Sequence, residues 1–204
     1  SKVLKNPAVW IICLVSFCNH VFCLSIYYYI PYVTDILGAA VAFGAMMGVL
    51  RKFGSIGGNI VGGYLADKFG TGKLMLLAYI VMLVGQIAIF FVPVGAAGAI
   101  IVTVLFITIL TFFHMNYAMA WTMMSEGAVP VEYCGTAAGL ICTAGAIPET
   151  FISIFAGSLI DNHPGITGYR YFFIFLTIVI AIGLVLILIW KAYLKHAKID
   201  KSKM

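Results

Sequence analysis

The sequence predicts an all-α membrane protein, a single bundle of six transmembrane helices. Hydrophobic residues make up 63% of its 204 residues and charged residues only 9%, and the mean hydropathy is +1.10. Soluble domains are roughly half apolar and about a quarter charged, so this composition indicates a protein whose solvent is lipid. Since a spanning helix needs about 20 apolar residues, the chain has room for six or seven spans and almost no soluble domain.

Charges and turn residues separate the apolar stretches into six predicted spans. Pro31, Pro93, Pro130 and Pro164 fall at the junctions, where the missing N–H of proline costs little. Pro148 falls inside the fifth span, where we expect a kink. The bundle covers residues 1–204 and ends in a basic tail at 193–204, and its predicted spans are residues 8–31, 38–66, 73–92, 96–124, 133–160 and 170–192.

The second span is rich in glycine. Gly54, Gly58 and Gly62 recur at every fourth residue, which places them on one face of a helix. Residues without a Cβ on one face let a neighbouring backbone approach closely in a membrane. We therefore expect this face to pack against another helix of the bundle.

The distribution of basic residues predicts the orientation. Nine lysines fall on one side of the predicted spans, whereas Arg170 lies on the other side with Asp35, Asp161 and His163. The lysine-rich side is expected to be cytoplasmic, which places both termini in the cytoplasm of a multi-pass plasma (inner) membrane protein. Because the net charge of +5 comes from helix ends and the tail, it does not indicate nucleic-acid binding. The nine lysines on the expected cytoplasmic side are Lys2, Lys5, Lys68, Lys73, Lys191, Lys195, Lys198, Lys201 and Lys203.

Three segments resemble signatures of the major facilitator superfamily of transporters. Residues 63–70 (GYLADKFG) resemble its G-x-x-x-D-(R/K)-x-G loop between two membrane helices. Residues 130–140 (PVEYCGTAAGL) resemble P-x-x-x-x-G-T-A-x-G-L at the start of its eleventh helix, and residues 168–173 (GYRYFF) resemble G-(W/Y)-R-x-x-F at the start of its twelfth. The resemblance implies the C-terminal half, helices seven to twelve, of a twelve-helix transporter.

The resemblance also implies a gating role and a partner. In the family, the loop residues corresponding to Gly63, Asp67, Lys68 and Gly70 contact the other half of the transporter, and this contact breaks when the cytoplasmic side opens. The alternative is that Asp67 and Lys68 are solvated loop charges. We expect an N-terminal six-helix half, or a second copy of this chain, to complete the protein within membrane lipid. Since the chain begins at Ser1 and shows no cleavable signal peptide, we expect a fragment or a processed form.

Polar residues inside the spans mark the candidate substrate site, because a charge at membrane depth usually faces a cavity or a partner. Arg51 lies sixteen residues before Asp67, or about 24 Å along a helix, which is too deep to reach the cytoplasmic boundary. The third and sixth spans have no ionisable residue in their interiors, and the family resemblance places these two helices outside the cavity. The candidate substrate-binding residues are Asn19, His20, Tyr27, Arg51, Lys52, His114, Tyr117 and Glu149.

The chemistry of these residues predicts a small anionic substrate. A guanidinium such as that of Arg51 binds carboxylate, sulfonate or phosphate in a forked geometry. Glu149 and His114 are the candidates for proton coupling. Each of these residues also has a structural alternative. Arg51 could pair with Glu149, and Lys52, which points about 100° away from Arg51, could extend to the membrane surface. The histidines could be hydrogen-bonded within the bundle, and Tyr27 could belong to an aromatic belt.

Two other classes of function are compatible with six membrane helices. His20 and His114 could ligate a haem axially, as in a membrane electron carrier. An intramembrane serine protease also fits six helices, but the sequence contains no G-x-S-x-G motif. The five cysteines form no C-x-x-C pair and predict no metal site. We therefore expect a secondary transporter, a symporter or antiporter, without enzymatic activity or cofactor.

Overall fold

A computed structural model describes residues 3–127 and 129–201, with side chains up to residue 196. Within these residues the chain forms helices and no strand. A short helix, Thr122–Glu126, follows the fourth of six long helices. The long helices are α1 (Pro7–Ile36), α2 (Val41–Phe69), α3 (Thr71–Ile89), α4 (Ala96–Met119), α5 (Val131–Asn162) and α6 (Ile166–Lys201).

Five of these helices, α1, α3, α4, α5 and α6, are long and apolar enough to cross a membrane. The sixth, α2, has 29 residues and a length of about 44 Å, so it is also long enough. Its hydropathy is lower because Arg51 and Lys52 lie in its middle among many glycines. The prediction of an all-α membrane fold is confirmed, and the helix that carries the two cations is the one least suited to lipid.

Four helices, α1, α2, α5 and α6, end later than predicted, and the reason is clear for the first two. α1 continues through Pro31 to Ile36, because a 3₁₀ turn at Ile26–Tyr28 precedes the proline and a π-helical turn follows it. These changes in hydrogen-bond spacing accommodate the N–H that proline lacks. α2 continues to Phe69 and ends only at Gly70, whose φ of 85° lies in the left-handed region that favours glycine.

The fifth helix is interrupted at the predicted position. An α-helical segment, Cys134–Ala146, is followed by a 3₁₀ segment, Ile147–Thr150, and by a second α-helical segment, Ile152–Asn162. Pro148 lies in the 3₁₀ segment, where it removes one donor and its ring would clash with the carbonyl of the preceding turn. The α-helical hydrogen bonding of α5 therefore breaks at the level of Glu149.

The core is built from large side chains of α1, α3, α4 and α6. Tyr29 is fully buried, and its ring lies 4.8 Å from that of Phe106 and 5.1 Å from that of Phe173. The Phe22 and Phe113 rings join α1 to α4 at 5.1 Å. Such aromatic pairs add about 0.5–1.5 kcal/mol each to the burial of their area.

Two buried hydrogen bonds connect α1 to α3. The Tyr79 hydroxyl donates to Oδ1 of Asn19 at 2.9 Å, and the Tyr29 hydroxyl donates to Oε1 of Gln86. All four side chains are at most 2% exposed. These bonds fix the rotation of α1, and so the direction in which its polar residues point.

Replacement of Tyr79 by phenylalanine should lower the free energy of unfolding by about 0.6–1.7 kcal/mol, the range for hydrogen bonds between membrane helices. The cause is the loss of the one donor that the structure gives to Asn19 Oδ1. Denaturant unfolding in mixed micelles measures the change. Tyr171→Phe, at a ring that is 46% exposed, is the matched control and should have no effect; equal losses in both variants would contradict this role for Tyr79.

The glycine face of α2 packs on α4, as its spacing predicts. A Cβ added at Gly54 would lie 3.4 Å from Thr111 Oγ1, and one at Gly62 would lie 3.0 Å from Met115 Cα. At Gly58 an added Cβ would fall within 3.0 Å of the Thr111 carbonyl oxygen. The three glycines hold the middle of α2 against α4, and Arg51 lies about one turn before Gly54.

Candidate functional site

The candidate substrate site is a cavity of about 150 Å³ between α1, α2 and α4. It brings together four of the eight predicted substrate-binding residues, which are far apart in the sequence. The lining residues are Cys23, Ile26, Tyr27, Arg51, Lys52, Ser55, Leu110 and His114.

Arg51 lies across the face of Tyr27. Its Cζ atom is 4.4 Å from the centroid of the Tyr27 ring, a cation–π contact worth about 0.5–1 kcal/mol when exposed and more when desolvated. Stacking uses the face of the guanidinium and leaves the N–H groups at its edge able to donate in a fork. The contact shown for Arg51 is thus aromatic, and the edge of its guanidinium stays able to donate hydrogen bonds.

Lys52 lines the same cavity as Arg51. The two residues are adjacent in a helix, so their Cα–Cβ bonds still point about 100° apart. The long, flexible stem of lysine allows both residues to line one cavity. Two positive charges consequently border one space.

His114 connects α4 to α2 at this cavity. Its Nδ1 lies 3.4 Å from Oγ of Ser55, and its ring packs at 5.0 Å against that of Phe113. A neutral imidazole has one donor and one acceptor, and it becomes a double donor when protonated. His114 therefore offers the cavity a group that can change charge beside two fixed cations.

Three other predicted residues lie around a second, much smaller space. Asn19, His20 and Tyr117 line a cavity of about 10 Å³ together with Ile141 of α5, which is close to the minimum for one water molecule. The Nδ1 of His20 is 3.0 Å from the Ser16 carbonyl oxygen, and its ring is 5.6 Å from that of Tyr117.

Close packing and hydrogen bonding surround His20 and Asn19. A Cβ on Gly145 of α5 would lie 2.7 Å from the His20 ring, so this glycine is what lets α5 approach. Asn19 is held by Tyr79, as described above. Since His20 and His114 line separate cavities, both below the roughly 300–1,000 Å³ of typical ligand pockets, the described residues give a haem no shared site.

Glu149 is exposed and lies in the interruption of α5. It is absent from the linings of both cavities. Gly145, four residues before Glu149, lies against the His20 ring, so this part of α5 borders the smaller cavity. Residues of α1, α2 and α4 line the larger cavity, and residues of α1, α4, α5 and the turn after α4 line the smaller one. The family resemblance places the helices α1, α2, α4 and α5 around the substrate path.

The predicted gating residues lie mostly within α2 rather than in a loop. Gly63, Asp67 and Lys68 are exposed in its last two turns, and Gly70 alone separates α2 from α3. The Lys68 Nζ atom lies 5.5 Å from the centroid of the Phe69 ring. The helix continues past residue 66 because no helix-breaking residue occurs before Gly70.

Sequence reasoning missed two α1 residues of the larger cavity, Cys23 and Ile26. Cys23 follows His20 by three residues and precedes Tyr27 by four, so helical spacing could have found it. Ser55 follows Arg51 by four residues and so shares its helix face. Its contact with His114 depends on how α2 and α4 are rotated, which helical spacing alone does not give.

Comparison with known proteins decides the family. The sequence profile of the Major Facilitator Superfamily matches residues 1–151, about three quarters of the chain. The chain belongs to the major facilitator superfamily. It is also 25% identical over 190 residues to the Inner membrane protein YihN of Escherichia coli (strain K12), an alignment that covers 85% of this chain and 42% of the relative. The chain thus spans less than half the length of that relative, and the family to which it belongs is one of membrane transporters.

Proposed function

We propose that this chain is the C-terminal half of a secondary active transporter that moves a small organic anion across the membrane by alternating access, with proton coupling. The observation that carries the proposal is the pair Arg51 and Lys52 in one cavity at the middle of a long helix. Arg51 is ten residues from the start of α2 and eighteen from its end, or about 15 Å and 27 Å.

Electrostatics favours an anion at this position. A charge near the centre of a membrane costs at least about 2.5–3.5 kcal/mol unless water or a counter-charge surrounds it. A carboxylate, sulfonate or phosphate between Arg51 and Lys52 would supply that counter-charge and accept the forked bonds of the guanidinium. The ring of Tyr27 would keep the fork in position while the site is empty.

The place of His114 in the cavity lining supports proton coupling. In the proposal its imidazole takes up a proton when the anion binds and gives it up when the anion leaves. Glu149, exposed on α5, is the candidate for the second proton-carrying group. Anion and proton would then enter together and leave together.

The exposed faces of α2 and α5 support a partner. Phe53 and Ile60 of α2 are 67% and 69% exposed, and Ile154 of α5 is 75% exposed. Lipid alone could cover such side chains, but the same two helices also expose Lys52 and Glu149, and a charge at membrane depth usually faces a cavity or a partner. An N-terminal six-helix half, or a second copy of this chain, would cover these faces and enlarge the 150 Å³ cavity to the size of a ligand site.

Uptake into proteoliposomes by the full-length native protein tests the proposal. Labelled monocarboxylates, sulfonates and phosphate esters are offered with and without an inward proton gradient. The proposal expects saturable uptake of at least one of these anions, stimulated by the gradient and lowered by a protonophore. Uptake of cationic or neutral solutes alone would refute anion transport, and anion uptake indifferent to the gradient would refute proton coupling only.

A further inference from the structure

A basic cavity of about 440 Å³ lies where the junction of α2 and α3 meets α6. It is distant in the sequence from the proposed substrate site and lies at the lysine-rich end of the bundle. The side chains that define it are Lys73, Lys191, Lys195, Glu126, Phe69 and Leu194.

The fold brings three lysines together here. Gly70 turns the chain directly from α2 into α3, which places Lys73 in the first turn of α3. Lys191 and Lys195 are four residues apart on α6 and therefore share one face. A Cβ on Gly72 would lie 3.4 Å from Cγ of Lys191, so the glycine lets the stem of this lysine lie against the start of α3.

The charges of this cavity do not balance. Three lysines face one carboxylate, that of Glu126, which gives a net charge of +2. The Glu126 Oε2 atom also accepts a hydrogen bond of 3.5 Å from the Trp190 indole, which draws it to one side. The N-terminus of α3 has no side-chain cap, and its dipole adds to the positive potential. An anion would relieve the repulsion among the lysines.

The surroundings suit a lipid better than a solute. α3 begins at Thr71 and the apolar run of α6 ends at Trp190, directly before Lys191, so the cavity lies at the end of two spanning helices. Phe69, 55% exposed, and the half-buried Leu194 give it an apolar side for glycerol and acyl groups. Basic pockets between helix ends at this level of a membrane bind phospholipid head groups.

We propose that this cavity binds the phosphate group of an anionic phospholipid from the surrounding leaflet. The lipid would connect the α2–α3 junction to α6 from outside the bundle. Lys73 and Lys191 would contact the phosphate from two sides, with Lys195 one turn further along α6. The proposal is independent of which substrate the transporter carries.

Native mass spectrometry of the full-length protein, titrated with phosphatidylglycerol or phosphatidylcholine, tests it. We expect phosphatidylglycerol to bind at least tenfold more tightly than phosphatidylcholine. In Lys73→Gln/Lys191→Gln, binding of phosphatidylglycerol should weaken about tenfold to thirtyfold, since each lysine near the surface contributes on the order of a factor of five. Lys5→Gln/Arg170→Gln removes the same charge at two exposed positions outside this lining and should change binding by less than about threefold.

Two further measurements make the result decisive. Glu126→Gln raises the net charge of the cavity and should tighten phosphatidylglycerol binding by about fivefold, the opposite sign to the lysine variants. Inorganic phosphate alone should compete weakly. Equal binding of the two lipids by the unaltered protein, or equal losses in the two double variants, would overturn the proposal, and displacement of the lipid by inorganic phosphate at similar affinity would show a solute site instead.

Discussion

Arg51→Ala is expected to raise the apparent KM for anion uptake by about tenfold to 150-fold, because hydrogen bonds to a charged group contribute about 1.5–3 kcal/mol. The guanidinium is the forked donor of the cavity, already oriented by the Tyr27 ring. The measurement is the concentration dependence of uptake into proteoliposomes by the full-length protein. The binding step, rather than the maximal rate at saturation, should carry most of the loss.

Two variants control for this result. Arg51→Lys keeps the charge but loses the fork, so its apparent KM should fall between those of the native protein and Arg51→Ala. Lys5→Ala removes an exposed cation outside the cavity and should leave uptake unchanged. Unaltered affinity in Arg51→Ala would refute the role assigned to the guanidinium.

Gly58→Ala is expected to lower the free energy of unfolding by about 1–3 kcal/mol, the usual cost of overpacking a close contact. The added methyl group would fall within 3.0 Å of the Thr111 backbone oxygen, and a backbone atom of a packed helix cannot move aside as the end of a side chain can. Thermal unfolding in detergent, followed by tryptophan fluorescence, measures the loss. Transport should fall too, because α2 carries Arg51.

Gly57→Ala is the matched control for this variant. It places the same methyl group on the same helix one residue earlier, where nothing lies within 4 Å of the added Cβ. Its stability should be unchanged or slightly higher, since alanine favours a helix over glycine by about 0.8–1.0 kcal/mol. Similar losses in both variants would show that the α2–α4 contact is not what the glycine face provides.

Much of the fold is predictable because it follows from hydropathy and from local spacing. The apolar runs give the number of helices, and the spacing of Gly54, Gly58 and Gly62 gives the close face of α2. The helix bounds are less predictable. Proline at position 31 does not end α1, because altered hydrogen-bond spacing on both sides absorbs it, and α2 continues until Gly70.

The candidate site is predictable in its members but not in their grouping. His20 and His114 both belong to the predicted substrate site, yet the structure assigns them to separate cavities. Spacing tells which residues share a face of one helix, whereas the rotation of each helix against its neighbours is set by contacts such as Tyr79 with Asn19. The basic cavity was missed for the same reason, since Lys73 and Lys191 meet only through the packing of α3 on α6.

The central claim is that α1, α2 and α4 enclose a water-accessible cavity with positive charge at the middle of the membrane. A cysteine at Ser55, in a background without the native cysteines, tests it through reaction with membrane-impermeant thiol reagents of either charge. The account predicts that the full-length protein in lipid reacts faster with the anionic reagent than with the cationic one, and that Ile178→Cys on the outer face of α6 is inert. A Ser55→Cys variant as unreactive as Ile178→Cys, or one that prefers the cationic reagent, would contradict it.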